Sequence, residues 1–195
     1  MQVEFEATFV NVNKDEIRAK LKAAGANLLR PEFMQKRVVF NMPEGHGIKG
    51  GWLRVRDEGN KNTMSLKVMD GEGIERQKEI EITVNDFELA AAMLENIGCQ
   101  KKAYQESLRE LWELGGVDIT IDEWPFLEPF VEVEGATERV VEEVSEKLGF
   151  DYSMALFDSV DAQYSAKYNI SIDQINQYTP QILFEMKNPF INRTD

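Results

Sequence analysis

The sequence predicts an α+β protein in which about eight antiparallel strands close into a barrel with helices packed outside. Three observations carry this. Short runs that alternate apolar and polar residues recur along the chain, and alternation at period two marks a strand with two unlike faces. Three segments of helical spacing lie between them, each opened by a capping residue and closed by a glycine. The polar face of most strands carries charge.

The first strand is expected over about Gln2–Val10. Asn13 is the cap of a helix, with Glu16 three residues on, Ile17, Leu21 and Ala24 on one face, and Gly25 as the stop. Strands follow over about Phe33–Asn41, Trp52–Glu58, Thr63–Met69 and Gln77–Val84. Asn85 and Glu88 repeat the cap pattern; Leu89, Met93 and Ile97, with Ala90 and Leu94, form the stripe, and Gly98 ends it. Three more strands are expected over about Gln105–Leu114, Val117–Asp122 and Phe130–Glu134. Thr137 caps a third helix with Val140, Val141, Val144 and Leu148 inward, ending at Gly149. Short helices fit Ser153–Tyr168 and Ile172–Tyr178. The whole divides into a domain over 1–170 and a tail over 171–195 that is free to pack on the barrel.

At 195 residues and 43% hydrophobic content, the chain can bury one sizeable core. A net charge of −13 argues against nucleic acid as a partner. The N-terminal stretch reads as a strand rather than a signal segment, and no apolar run is long enough to span a membrane. One cysteine, Cys99, leaves no internal disulfide. A cytoplasmic protein without membrane partners is the expectation, and a homodimer is compatible with it. The sequons Asn169-Ile170-Ser171 and Asn192-Arg193-Thr194 are read as chance. The glycine-rich stretch Pro43–Gly51 holds the single histidine, His46, and is read as an exposed loop. It lacks the Gly-Lys-Ser/Thr ending of a phosphate loop. Glu123–Pro129, with Trp124 and two prolines, reads as a rigid turn.

The triplet Glu-x-Glu occurs three times within alternating runs, as Glu4/Glu6, Glu79/Glu81 and Glu132/Glu134. Residues two apart share a strand face, so each triplet sets two carboxylates side by side. Such pairs repel and are good cation ligands. The other strands bring Arg37, Arg54, Arg56, Lys67, Arg109 and Asp122 onto their polar faces. One reading is an ordinary half-exposed sheet with solvated charges. The other follows from the helices, which need apolar surface to cover. If the apolar faces point outward, the charged faces line the inside of a barrel of about eight strands, wide enough for one small ligand. A polyanion and divalent cations would neutralise such an interior: Arg matches phosphate oxygens in a fork, and Mg²⁺ takes one or two carboxylates plus phosphates.

The motifs Val-Glu-Phe-Glu-Ala at 3–7, Leu-Arg-Val-Arg at 53–56 and Leu-Lys-Val at 66–68 are followed by Lys-Glu-Ile-Glu-Ile at 78–82, Thr-Ile-Asp-Glu-Trp at 120–124 and Phe-Val-Glu-Val-Glu at 130–134. Their order resembles that of CYTH domains, the triphosphate tunnel metalloenzymes, which include class IV adenylate cyclases and thiamine triphosphatases. The resemblance implies an eight-stranded tunnel that binds a triphosphate with Mg²⁺ or Mn²⁺. By position it implies metal binding at Glu4, Glu6, Glu132 and Glu134. Phosphate binding falls to Arg54, Arg56, Lys67 and Arg109, to which the charged strand faces add Arg37 as a further candidate, and further tunnel acids are Glu79, Glu81 and Asp122. Glu4, Glu6 and Arg56 become the catalytic candidates. The chain departs from the pattern twice: Thr8 stands where the N-terminal signature has a lysine, and Ser107 where Lys-x-Arg is usual. Three functions stay open: hydrolysis of a nucleoside, thiamine or inorganic triphosphate, cyclisation of ATP to cAMP and pyrophosphate, and polyphosphate binding without catalysis.

Overall fold

In the computed structural model, residues 1–191 are described. The end of the expected tail and the sequon Asn192-Arg193-Thr194 lie outside them.

The N-terminal stretch is split by Glu4 into β1 (Gln2–Val3) and β2 (Phe5–Phe9). β3 (Asn27–Asn41), β4 (Gly51–Asp57), β5 (Asn62–Met69) and β6 (Gln77–Val84) follow, then β7 (Gln100–Leu114), β8 (Val117–Glu123) and β9 (Phe130–Gly135). In the sheet they lie in the order β1, β6, β5, β4, β3, β7, β8, β9, β2. β1 and β2 are consecutive pieces of one stretch, so the two ends of that order meet. β1 pairs β6 through Gln2–Glu79 and Val3–Lys78, and β2 pairs β9 from Phe5–Gly135 to Phe9–Val131. The result is a nearly closed antiparallel barrel of nine strands, or eight if β1 and β2 are counted as one.

Among the described residues five helices complete the α+β fold: α1 (Lys14–Ala24), α2 (Phe87–Asn96), α3 (Glu138–Lys147), α4 (Val160–Tyr168) and α5 (Ile172–Tyr178). The apolar strand faces point outward beneath them. Ile17 and Leu21 of α1 and Val141 of α3 bury against Ala7, Phe9, Ile119, Ile121, Val131 and Val133. Ala90, Ala91 and Leu94 of α2 cover Val38, Phe40 and Val55. A third cluster, Trp124, Phe130, Tyr164, Ile175, Ile182 and Phe190, is built largely from the C-terminal part of the chain, which also adds a short parallel strand, β10 (Gln181–Ile182), to β7.

Several elements depart from expectation. β3 starts at Asn27 rather than Phe33 and runs through Pro31, whose missing N–H falls at a register irregularity between Arg30 and Phe33. β7 starts at Gln100 rather than Gln105. The cap of α2 is Asp86, which accepts from Leu89 N at 2.8 Å, not Asn85. Only part of the expected stripe on that helix faces the sheet: Ala90 and Leu94 are buried with Ala91, whereas Leu89, Met93 and Ile97 are exposed, because small Ala90 and Ala91 let the helix sit close on the sheet. Ile80 and Ile82 on the outer face of β6 likewise stay exposed. The expected helix over Ser153–Tyr168 is a 3₁₀ turn, Tyr152–Met154, followed by α4. Between them Leu156 pairs with Thr8 through two backbone hydrogen bonds of 2.9 Å, laying this segment along the free edge of β2.

Candidate active site

With the apolar faces outward, the inward positions collect the charge, and they divide the barrel in two. The adjacent strands β5, β4, β3 and β7 carry Lys67, Arg54, Arg56, Arg37 and Arg109. The strands that complete the circle, β8, β9, β2 with Glu4, and β6, carry Asp118, Asp122, Glu132, Glu134, Glu4, Glu6, Glu79 and Glu81. These side chains enclose a cavity of about 370 Å³, and of the predicted site residues only Asp122 does not reach its surface.

The two walls pair at their seams. Where β5 meets β6, Lys67 Nζ lies 2.9 Å from Glu4 Oε2 and 3.5 Å from Glu79 Oε2, and Arg54 Nη2 lies 3.1 Å from Glu79 Oε1. Where β7 meets β8, Arg109 grips fully buried Asp122 with Nε at 2.7 Å and Nη2 at 2.9 Å, and donates to Glu132 Oε2 at 2.6 Å. Asp122 therefore aims Arg109 from behind, helped by Thr120 Oγ1 at 2.6 Å. Arg56 Nη2 reaches Glu81 at 3.1 Å, and its Nε lies 2.9 Å from Glu58 at an angle that makes an ion pair rather than a hydrogen bond.

The centre of the anionic wall is not paired. Glu6 and Glu134 face each other across β2 and β9 and form no hydrogen bond or ion pair among the described residues; Lys67 and Arg109 act on them only at longer range. Burial, then the neighbouring carboxylates, pushes Glu6 up to about 7 and Glu132 to about 8. Glu134, exposed at the tunnel mouth, moves up for the same reasons. Burial also lifts Glu4 to about 7. Burial would lift Glu79 too, but the hydrogen bond from Glu4, with Lys67 and Arg54, holds it down to about 2, so one proton serves the pair. On the opposite wall Arg37 and Arg56 are direct cross-strand partners. Burial and the neighbouring arginines depress both, Arg56 to about 10.

An all-carboxylate donor set suits a hard divalent cation. Among the described residues no three acidic, histidine or cysteine side chains gather into a closed metal cage. Glu6 and Glu134 instead offer two unpaired carboxylates on one side of an open cavity, which fits an ion that completes its shell with substrate phosphates. Thr8 is buried on the same face as Glu6, opposite Glu132, but lies outside the cavity surface.

The CYTH domain model matches residues 9–163. The chain belongs to the CYTH domain family. The match begins after Glu4 and Glu6, yet the closing of the barrel brings both into the cavity. CYTH proteins in general depend on a metal and bind triphosphates such as ATP. Three solved structures show the same fold. A putative adenylate cyclase from Vibrio parahaemolyticus is 16% identical, with 84% of this chain and 98% of that one covered and a TM-score of 0.71. A protein from Pyrococcus horikoshii is 22% identical, with 80% and 96% covered and a TM-score of 0.67. A putative adenylyl cyclase from Hippeastrum, described as having a dominant triphosphatase activity, is 15% identical, with 89% and 99% covered and a TM-score of 0.59. A search of curated proteins found no match. Among the described residues no helix of this CYTH protein is long and apolar enough to cross a membrane.

Sequence reasoning missed part of the tunnel wall. Glu58 continues the period-two pattern of Arg54 and Arg56 and was visible in principle. Trp124, Ser159 and Val160 reach the cavity through contacts between distant segments, which no local pattern announces. His46 sits exposed in its loop, away from the cavity, with Nδ1 accepting from Ile48 N at 3.0 Å.

Proposed function

We propose that residues 1–170 form a metal-dependent enzyme, cytoplasmic in location, that hydrolyses a phosphoanhydride bond of a triphosphate. One observation carries this reading: unpaired carboxylates at the centre of one tunnel wall face crowded arginines at the centre of the other, across a cavity fit for a small ligand. Buried like charges on both walls destabilise the empty site. A triphosphate on the arginine side and Mg²⁺ or Mn²⁺ on the glutamate side relieve both.

In this mechanism Arg54, Arg56 and Lys67 exchange part of their carboxylate contacts for phosphate oxygens, and Arg109, aimed by Asp122, does the same from β7. They orient the chain and neutralise charge that builds on it as the bond to phosphorus breaks. Glu6 and Glu134, with Glu132 beside them, would hold the cation; when bound it lowers the charge on the phosphates and activates water. Glu4, whose carboxyl titrates near neutrality beside ionised Glu79, takes up in its deprotonated form the proton released when water attacks phosphorus. Phe33 and Trp52 in the cavity wall give apolar ground for an organic group, which keeps ATP cyclisation as the second reading. The double description of the Hippeastrum protein is in keeping with both.

The deciding experiment incubates the protein with ATP, thiamine triphosphate or inorganic tripolyphosphate plus Mg²⁺ or Mn²⁺ and identifies the products. Orthophosphate release supports hydrolysis. Pyrophosphate and cAMP from ATP would replace it with cyclisation. No product, with tripolyphosphate still raising the melting temperature, would leave a binding module.

A further inference from the structure

Among the described residues six cations line the cavity, and five of them have a carboxylate within 4 Å: Arg54, Arg56, Lys61, Lys67 and Arg109. Arg37 has none among the described residues. It is 6% exposed, and its Nε is buried without a hydrogen-bond partner. Nη2 donates to Gln35 Oε1 at 2.7 Å and to Ser107 Oγ, both neutral. Its guanidinium lies 4.3 Å from the ring centre of Trp124. A buried guanidinium without a counter-ion, opposite a second arginine, is costly unless an anion completes it.

Its surroundings fit that anion. Trp124 and Phe130 stand at one end of β8 and β9, while Asp118 and Glu134 stand at the other, exposed end. The Trp124 end is covered by the C-terminal cluster, and Ser159 and Val160, the cap and first residue of α4, lie in the cavity wall there. Ser159 makes no side-chain cap bond to the helix backbone; its hydroxyl donates to Asp161 instead. Asp161 is not in the cavity wall: one oxygen of its carboxylate accepts from Ser159 Oγ and the other from Asn176, near Lys102. Ser107 explains how Arg37 fits. It is completely buried, its hydroxyl supports the guanidinium, and the longer lysine usual at this position would need the same space.

We propose that Arg37, backed by Trp124, forms an anion subsite at the closed end of the tunnel that takes one phosphoryl group of a polyphosphate. This subsite restores the cation missing at Ser107 and makes the protein select for phosphate chain length. The proposal rests on the reading of the cavity as a polyphosphate site.

Calorimetry with orthophosphate, pyrophosphate and tripolyphosphate in Mg²⁺, on wild type, Arg37→Met and Arg37→Lys, tests it. Wild type should bind tripolyphosphate at least about tenfold more tightly than pyrophosphate, one charge-assisted contact's worth. Arg37→Met should lose about tenfold for tripolyphosphate and change little for pyrophosphate, and Arg37→Lys should recover part of the loss. Without ligand, Arg37→Met should melt at or above the wild-type temperature, because an uncompensated charge has gone. Unchanged tripolyphosphate affinity in Arg37→Met, equal losses for both anions, or a lower melting temperature without ligand would overturn the subsite. Failure of wild type to bind any of the three would instead sink the cavity reading beneath it.

Discussion

The cationic and anionic halves of the barrel are built alike and strained alike. Each is a contiguous set of strands with its charged side chains turned inward. Each is satisfied where it meets the other, through Lys67 with Glu4 and Glu79 at one seam and Arg109 with Asp122 and Glu132 at the second. Away from the seams they differ in how they can relax. Glu6 relieves repulsion by holding a proton, which its shift to about 7 expresses, and Glu132 beside it, although it accepts from Arg109 at the seam, is raised to about 8. Arginine has no such escape, because it stays charged at any ordinary pH. The cationic wall therefore needs an anion, whereas the anionic wall can take a proton or a metal. This makes the glutamates the adjustable side of the site and the arginines its fixed template.

The largest expected effect comes from removing one centre of the anionic wall. Glu6→Gln should lower metal-dependent turnover by about 100-fold or more, since removing groups that merely support metal ligands already costs 10–100-fold. It should also leave the metal-free melting temperature unchanged or raised, because a repelling carboxylate is gone. Steady-state assays with scanning calorimetry check both; full Mg²⁺- or Mn²⁺-dependent turnover in the variant would remove Glu6 from the site.

On the opposite wall, Arg56→Ala should weaken tripolyphosphate binding by about tenfold or more, a charge-assisted hydrogen bond being worth about 1.5–3 kcal/mol. Isothermal titration measures this directly, and an unchanged affinity would place the phosphates elsewhere.

A smaller effect probes the boundary between the halves. Thr8→Lys introduces an ammonium opposite Glu132, which Arg109 already holds. The new cation should compete with the metal, so a metal titration should show a higher requirement and a lower kcat. A gain in turnover would mean that the tunnel is an impaired enzyme lacking its usual lysine. No change in either quantity would mean that Thr8 does not act on the site.

The smallest effect is a pH dependence that comes from the anionic wall. Glu4, Glu6 and Glu132 bind protons more tightly folded than unfolded, so their stabilisation is complete below about 4.5 and is lost as pH rises to about 8. Glu79 acts oppositely, and its stabilisation is lost only as pH falls from about 4.5 towards 2. The metal-free protein should melt a few degrees lower at pH ~8 than at pH ~5, and saturating Mg²⁺ with tripolyphosphate should reduce that difference. A melting temperature flat over this range would show that the carboxylates are not strained.

Most of this contrast was legible in the sequence because a strand has period two. Glu4/Glu6, Arg54/Arg56 and Glu132/Glu134 each declare a shared face, and the capped helices say which face is covered. Period two does not say how far around the barrel one strand lies from another, so the sorting of charge into two contiguous walls was not visible. Nor was the pairing that turns Asp122 into a support for Arg109 rather than a cavity acid. The outward turn of Leu89, Met93 and Ile97 was missed because hydrophobicity alone ranks them above Ala90 and Ala91, while close packing favours the small residues. The Arg37–Trp124 stack joins two distant turns of the chain that no local pattern relates.

The central claim is that one cavity holds a polyanion on its cationic wall and a divalent cation on its anionic wall, each helping the other. Titration of tripolyphosphate into wild type with and without Mn²⁺ tests this most directly. Binding should tighten by at least about tenfold with the metal, a coupling of about 1.4 kcal/mol, and Glu6→Gln should abolish the gain. Equal affinity with and without the metal would contradict the account.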